Sequence, residues 1–249
     1  MVEYYDLSQF VSFDQYQRYL MIQRVITALN LSGAPILEVG AAYSPLRKLH
    51  SSNRVVSCDL TKAPNLHLRA SGVKLPFVNE AFELVVNTDV LEHMPGEMRP
   101  SFLQEVARVS SKYLIVGFPH RTAAALEADQ LLTEFIRKIT GEEHVFLKDH
   151  LNYGLPEPLE IKSLLNPLMA HIVELKNANV HIWLRFMMAD FAIQPYFHLN
   201  EARALMSESF RQFEPSTHSE PTYRTILVCS RIPLPDSISL IQNAAEGSR

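Results

Sequence analysis

Short apolar runs that alternate with stretches of helical periodicity constrain this chain more than any other feature. Pro35-Ile-Leu-Glu-Val39, Arg54-Val-Val-Ser-Cys-Asp59, Ala81-Phe-Glu-Leu-Val-Val-Asn87 and Tyr113-Leu-Ile-Val-Gly-Phe118 read as strands. Between them Ser44 to His50 reads as a helical turn and Arg99 to Val109 as a helix. A strand with one wet face alternates polar and apolar residues, whereas these runs are apolar throughout. That is the pattern of a parallel sheet covered by helices on both faces, so the expected class is α/β.

Ahead of the first strand, Tyr16, Tyr19, Leu20, Ile22, Val25, Ile26 and Leu29 recur at threes and fours, the stripe of an amphipathic helix. Beyond Pro119, Ala123 to Thr140 and Pro158 to Leu165 read as helices, and Glu142 to Pro158 as a loop rich in His, Tyr and Pro. Ala170 to Lys176 reads as a strand, Val180 to Ala192 and Leu199 to Phe213 as a helical pair, and Tyr223 to Ser230 as a last strong strand. The expected organisation is a helical lead over 1–31, one domain over 32–232 with a helical insertion at about 177–218, and a tail over 233–249 that is disordered at its end.

Composition narrows the function. The 249 residues are 47% apolar and carry a formal net charge of −4, without long Lys or Arg runs, which argues against a nucleic-acid partner. The two cysteines, Cys58 and Cys229, lie in strand-like runs with no CxxC or Cys/His ladder nearby. A reducing, cytoplasmic setting follows as the expectation. The opening residues carry acids and lack a basic region before an apolar block, so they do not read as a signal peptide. Val180 to Ile193 is interrupted by His181, Arg185 and Asp190 and is shorter than the roughly 20 residues needed to cross a bilayer. Its Trp183, Phe186, Met187 and Phe191 suit internal packing first, and a lid over an acceptor or a homodimer face through 180–193 second.

Two positions suggest a ligand. Gly40 follows the first strand, where a glycine turn lets a ligand approach the backbone and the turn into the next helix offers free amides. Asp59 ends the second strand about twenty residues later, where a carboxylate can accept both hydroxyls of a ribose. Each feature alone is as well explained by a turn or a cap.

The run from Leu75-Pro-Phe through Phe82-Glu-Leu-Val to Asp89-Val-Leu-Glu-His93 closely resembles the central stretch of class I S-adenosylmethionine-dependent methyltransferases of the type 11-like family. The likeness extends from about Pro35 to Pro119 and in outline to the Tyr223 strand. It implies a Rossmann-like methyltransferase fold with a mostly parallel seven-stranded sheet, S-adenosyl-L-methionine as cofactor, and a small-molecule or saccharide acceptor. On this likeness Glu38, Gly40 and Ala42 line the methionine end of the cofactor and Asp59 holds the ribose. Ser71 and Gly72 line the adenine, and Asn87, Thr88 and Asp89 sit beside the sulfonium. Ala42 and Ser44 replace two glycines of the family's loop, and Ser71 stands where an Asp is common. These departures leave a non-catalytic binding protein as an alternative.

For catalysis the expected residues are His93, His120 and His150, because a histidine near neutral pH can take the proton of an attacking hydroxyl. In a helical turn Asp89, Glu92 and His93, at i, i+3 and i+4, would share one face. The same run resembles that of methyltransferases acting on quinone precursors or on the terminal ribose of small RNAs, some of which use a metal there. An RNA ribose methyltransferase is therefore a further alternative. The preferred expectation is that His93 lines the pocket and that no metal is held.

Overall fold

The computed structural model describes residues 12–246, except 43, 65, 197–204, 207, 211 and 213–218. Helix α1 (Phe13–Ala28) starts where the Ser12 side chain accepts the Gln15 amide. Then come β1 (Pro35–Val39), the short α2 (Leu46–Leu49), β2 (Arg54–Asp59), β3 (Leu68–Arg69) and β4 (Phe82–Thr88). Helix α3 (Arg99–Val109) leads into β5 (Ser110–Pro119), followed by α4 (Ala123–Thr140), α5 (Val145–Tyr153) and α6 (Pro158–Leu165). The chain ends with β6 (His171–Asn179), α7 (Val180–Ile193), β7 (Thr222–Ser230) and α8 (Asp236–Glu246).

The seven strands form one sheet in the order β3-β2-β1-β4-β5-β7-β6. Neighbours from β3 through β5 pair in parallel, and β7 runs antiparallel to both β5 and β6. Alternation along each strand divides the core into two layers. Ile36, Leu84, Val86, Ile115, Ile226 and Val228 pack with Met21, Ile22, Val25 and Ile26 of α1 on one face. Leu37, Val85, Leu114, Val116 and Leu227 pack with Phe102, Leu103 and Val106 of α3 and Ile161 and Leu165 of α6 on the other. The carboxyl ends of β1, β2, β4 and β5 thereby share one edge.

The structure departs from the sequence reading in two places. Val145–Tyr153, expected as loop, is a helix that buries Leu147 and His150 and ends at Gly154 with φ +73°. In the tail, Asp236–Glu246 is a helix because Ile238 is wholly buried in the α1 layer and the Ser237 hydroxyl donates to the Ala28 carbonyl at 2.9 Å. By contrast, the apolar side of α7 is spent within the chain, as the packing that the sequence reading ranks first requires. Trp183 stacks on Tyr223 at 3.7 Å between ring centroids, and Phe186 stacks on Phe13 at 4.1 Å. Most of the helix expected over Leu199 to Phe213, and the last residues of the tail, lie outside the described residues.

Candidate active site

The turn after β1 is built around Gly40, whose φ of +83° is natural for a residue without Cβ. A Cβ there would stand 2.2 Å from Val90 Cγ2, so this turn has no room for a larger residue. The Gly40 and Ala41 amides donate to the Cys58 carbonyl at 2.9 and 3.1 Å, tying the turn to β2. Asp59 completes the tie: Oδ2 accepts the Ala42 amide at 3.0 Å and Oδ1 the Thr61 amide at 2.7 Å. Each carboxylate oxygen keeps a second lone pair for a further donor.

Glu38 lies beneath this turn, buried in β1. The Tyr19 hydroxyl donates to its Oε1 at 2.7 Å and the Ser44 hydroxyl to its Oε2 at 2.5 Å. Burial nevertheless dominates and pushes its carboxyl up to about 7. Ser44, which replaces a glycine of the expected loop, thus supplies a donor to the acid at the heart of the site. On β4, the Asn87 amide donates to the Val39 carbonyl at 3.0 Å, while its buried Oδ1 has no hydrogen-bond partner. Thr88 is buried with its methyl against Gly117. Gly72 lies under Phe102, where a Cβ would come within 2.3 Å of the ring, and Ser71 bridges to Lys74 beside it.

Asp89 does not share a face with Glu92 and His93. Its φ is +53°, and the 3-10 turn begins only at Leu91. Its carboxylate is gripped by Arg18 of α1 and bidentately by Arg224 of β7, at 2.8 and 2.6 Å from the latter. Arg224 also donates to Asp14 at 2.7 Å, and the Trp183 indole donates to the same Asp14 oxygen at 2.7 Å. Burial is the largest single influence and would raise the Asp89 carboxyl, but the two guanidiniums together outweigh it and hold the carboxyl well below its ordinary range.

Of the three expected histidines, two come together. His93 in the 3-10 turn and His150 on α5 have ring centroids 5.2 Å apart. His120 stands apart, buried, its Nδ1 at 2.8 Å from the Thr225 hydroxyl. Burial, aided by Lys176, lowers its value to about 4, which leaves a weak base. Sequence reasoning missed Asp129, whose Oδ2 lies 2.8 Å from His150 Nδ1 and whose Oδ1 accepts the Tyr223 hydroxyl at 2.7 Å. The signal was present: Asp129 is an acid on the buried stripe of α4 formed by Ala125, Ala128, Leu132 and Ile136.

Residues 32–113 match the family model described as a methyltransferase domain. The matched segment spans about a third of the chain, and with the 3-2-1-4-5-7-6 strand order it supports a Rossmann-like fold of the class I S-adenosylmethionine-dependent methyltransferase kind. Solved structures share the fold at low identity. An S-adenosylmethionine-dependent methyltransferase from Thermotoga maritima is 14% identical, with 91% of this chain and 98% of that one covered at a TM-score of 0.52. One from Archaeoglobus fulgidus is 12% identical, with 88% and 94% covered at 0.50. The [4+2]-cyclase SpnF is 16% identical, with 88% and 81% covered at 0.50. Among curated proteins none matches the chain. No helix among the described residues is long and apolar enough to cross a membrane.

Proposed function

We propose that the chain transfers the methyl group of S-adenosylmethionine to an oxygen of a small-molecule or saccharide acceptor. The carrying observation is the pairing of the Gly40 turn with Asp59, joined through the Ala42 amide at the carboxyl edge of the sheet. Asp59 is proposed to take the ribose hydroxyls on its free lone pairs, with Ser71 and Gly72 toward the adenine. Asn87 Oδ1, a buried acceptor without a partner, and the Glu38 carboxylate suit the ammonium end of the methionine moiety. A bound sulfonium needs only in-line placement of the acceptor oxygen and a base for its proton. His93 and His150, paired on the edge beyond β4, are the proposed bases and favour oxygen.

Two features bear on competing readings. SpnF shows that this fold also carries a cyclase, and Ala42, Ser44 and Ser71 depart from the common loop, which together keep a binding protein without methyl transfer as the second reading. The use of Trp183 and Phe186 inside the chain favours a monomer over a homodimer through 180–193. Two buried free cysteines fit a cytoplasmic protein.

Calorimetric titration with S-adenosylmethionine and S-adenosylhomocysteine tests the reading. Micromolar binding is expected, weakened by about 1.5–3 kcal/mol in Asp59→Ala through the lost charge-assisted hydrogen bonds. A folded protein that binds neither ligand at millimolar concentration ends the enzyme reading. An unaltered affinity in the variant reduces Asp59 to a turn cap.

A further inference from the structure

Beside the cofactor edge, the 3-10 turn Leu91–His93 meets α5, and the two elements bring Glu92, His93 and His150 together. One potential donor atom from each lies within 4.8 Å of the others. We infer that these three residues bind one divalent transition-metal ion, with Asp129 orienting the His150 imidazole. The set differs from the one the sequence spacing suggests, because Asp89 is committed to two arginines and a histidine from a distant helix takes its place.

Three observations carry the inference. Glu92 is 1% exposed, and its buried Oε2 has no hydrogen-bond partner. A carboxylate oxygen buried without a cation or a donor beside it is costly. Next, each imidazole has a carboxylate behind it. Asp129 Oδ2 lies 2.8 Å from His150 Nδ1, and Asp149 Oδ2 lies 3.3 Å from His93 Nδ1. The Asp129 bond fixes the His150 ring, Asp149 stands beside His93 without a hydrogen bond to it, and both Nε2 atoms are left for a third party, as in carboxylate–histidine–metal arrangements. Finally, His93 Nε2 stands 3.8 Å from Glu92 Oε1, too far for a direct hydrogen bond and close enough to share an ion.

The donor set selects the ion. Two imidazoles and one carboxylate suit Zn²⁺, Mn²⁺, Fe²⁺ or Co²⁺, whereas Mg²⁺ and Ca²⁺ prefer oxygen ligands throughout. Around a tetrahedral ion with bonds of about 2.0–2.1 Å, donors stand roughly 3.3 Å apart, so the three side chains close by about an ångström on binding. Protein ligands then leave a coordination position open. If methyl transfer to oxygen is the reaction, an acceptor hydroxyl in that position loses its proton to solvent more readily, and His93 and His150 then serve as ligands in place of bases; this last step alone rests on the proposed function.

The test uses untagged full-length protein stripped by chelator and dialysed. Titration with Co²⁺, followed by its ligand-field absorption, is expected to saturate at one equivalent and to be reversed by Zn²⁺ but not by Mg²⁺. Glu92→Gln, nearly isosteric, and His150→Ala should each weaken Co²⁺ binding more than tenfold. Asp129→Asn should weaken it by about 10–100-fold, as loss of an outer-shell carboxylate does. Circular dichroism and S-adenosylhomocysteine binding on the same samples report folding and the cofactor site separately. Absence of stoichiometric Co²⁺ binding by folded protein, or binding that is unaffected in Glu92→Gln and His150→Ala, overturns the inference. One equivalent of bound Co²⁺ in a protein that ignores S-adenosylhomocysteine upholds it and removes the methyl-transfer reading instead.

Discussion

Glu38→Gln should stabilise the protein above neutral pH and leave it unchanged in acid. Burial raises the Glu38 carboxyl to about 7 from an ordinary 4.5, so the folded chain holds a proton that the unfolded chain has already released. At 1.36 kcal/mol per pH unit, this amounts to about 3 kcal/mol at most. Below about pH 4.5 both states are protonated and the group costs nothing. As the pH rises from 4.5 to 7 stability is lost, and above 7 the loss is complete and constant. Glutamine keeps an acceptor for the Tyr19 hydroxyl and can hydrogen-bond Ser44, so the substitution removes the charge without emptying the site. Urea unfolding of both proteins from about pH 4 to pH 8 gives a difference curve in which all other titrating groups cancel. The expected difference is near zero in acid and grows to about 3 kcal/mol in favour of the variant, with weaker cofactor binding as the counterpart. A flat difference curve would refute the reasoning and show that the buried carboxylate is stabilised as fully as a solvated one.

Asp89→Asn should lower stability by about 3–5 kcal/mol in urea, because it leaves the buried Arg18 and Arg224 short of one charge; a loss under 1 kcal/mol would mean that water already solvates the network. Trp183→Ala should also cost about 3–5 kcal/mol, through the lost Tyr223 stack and the lost bond to Asp14. A lid or dimer face, ranked second to internal packing in the sequence reading, would instead spare stability and act on the acceptor or on an oligomer, and thermal melts distinguish the two outcomes.

The sheet was legible because its strands are apolar on both faces, a pattern that only helix-covered parallel strands require. Ile36 and Leu37 illustrate it, each wholly buried but in opposite layers. Helix α5 was obscured because His, Tyr and Pro around it resemble loop composition, and only Leu147 and His150 turn inward. In the candidate site, motif and spacing single out residues that are adjacent in the chain. The long-range partners are not singled out. Nothing near Asp89 in sequence announces Arg18 or Arg224, and an i, i+3, i+4 count presumes a helical backbone that the positive φ of Asp89 breaks. Arg224 did leave a trace, as a charged residue inside a strand whose every position is buried.

Helix α1 supplies Tyr19 to Glu38, Arg18 to Asp89 and Asp14 to both Arg224 and Trp183. The Asp14 to Arg224 contact spans 210 residues of chain. On a ribosome, α1 emerges long before β7 exists, and although Arg18 can meet Asp89 early, Asp14 must wait for Arg224 until β7 has been made. Closing so long a loop is slow, and the reward comes only at the end. Helix α1 is therefore among the last elements to lock, and the edge of the sheet that Glu38 and Asp89 define takes its final form only once β7 has been made.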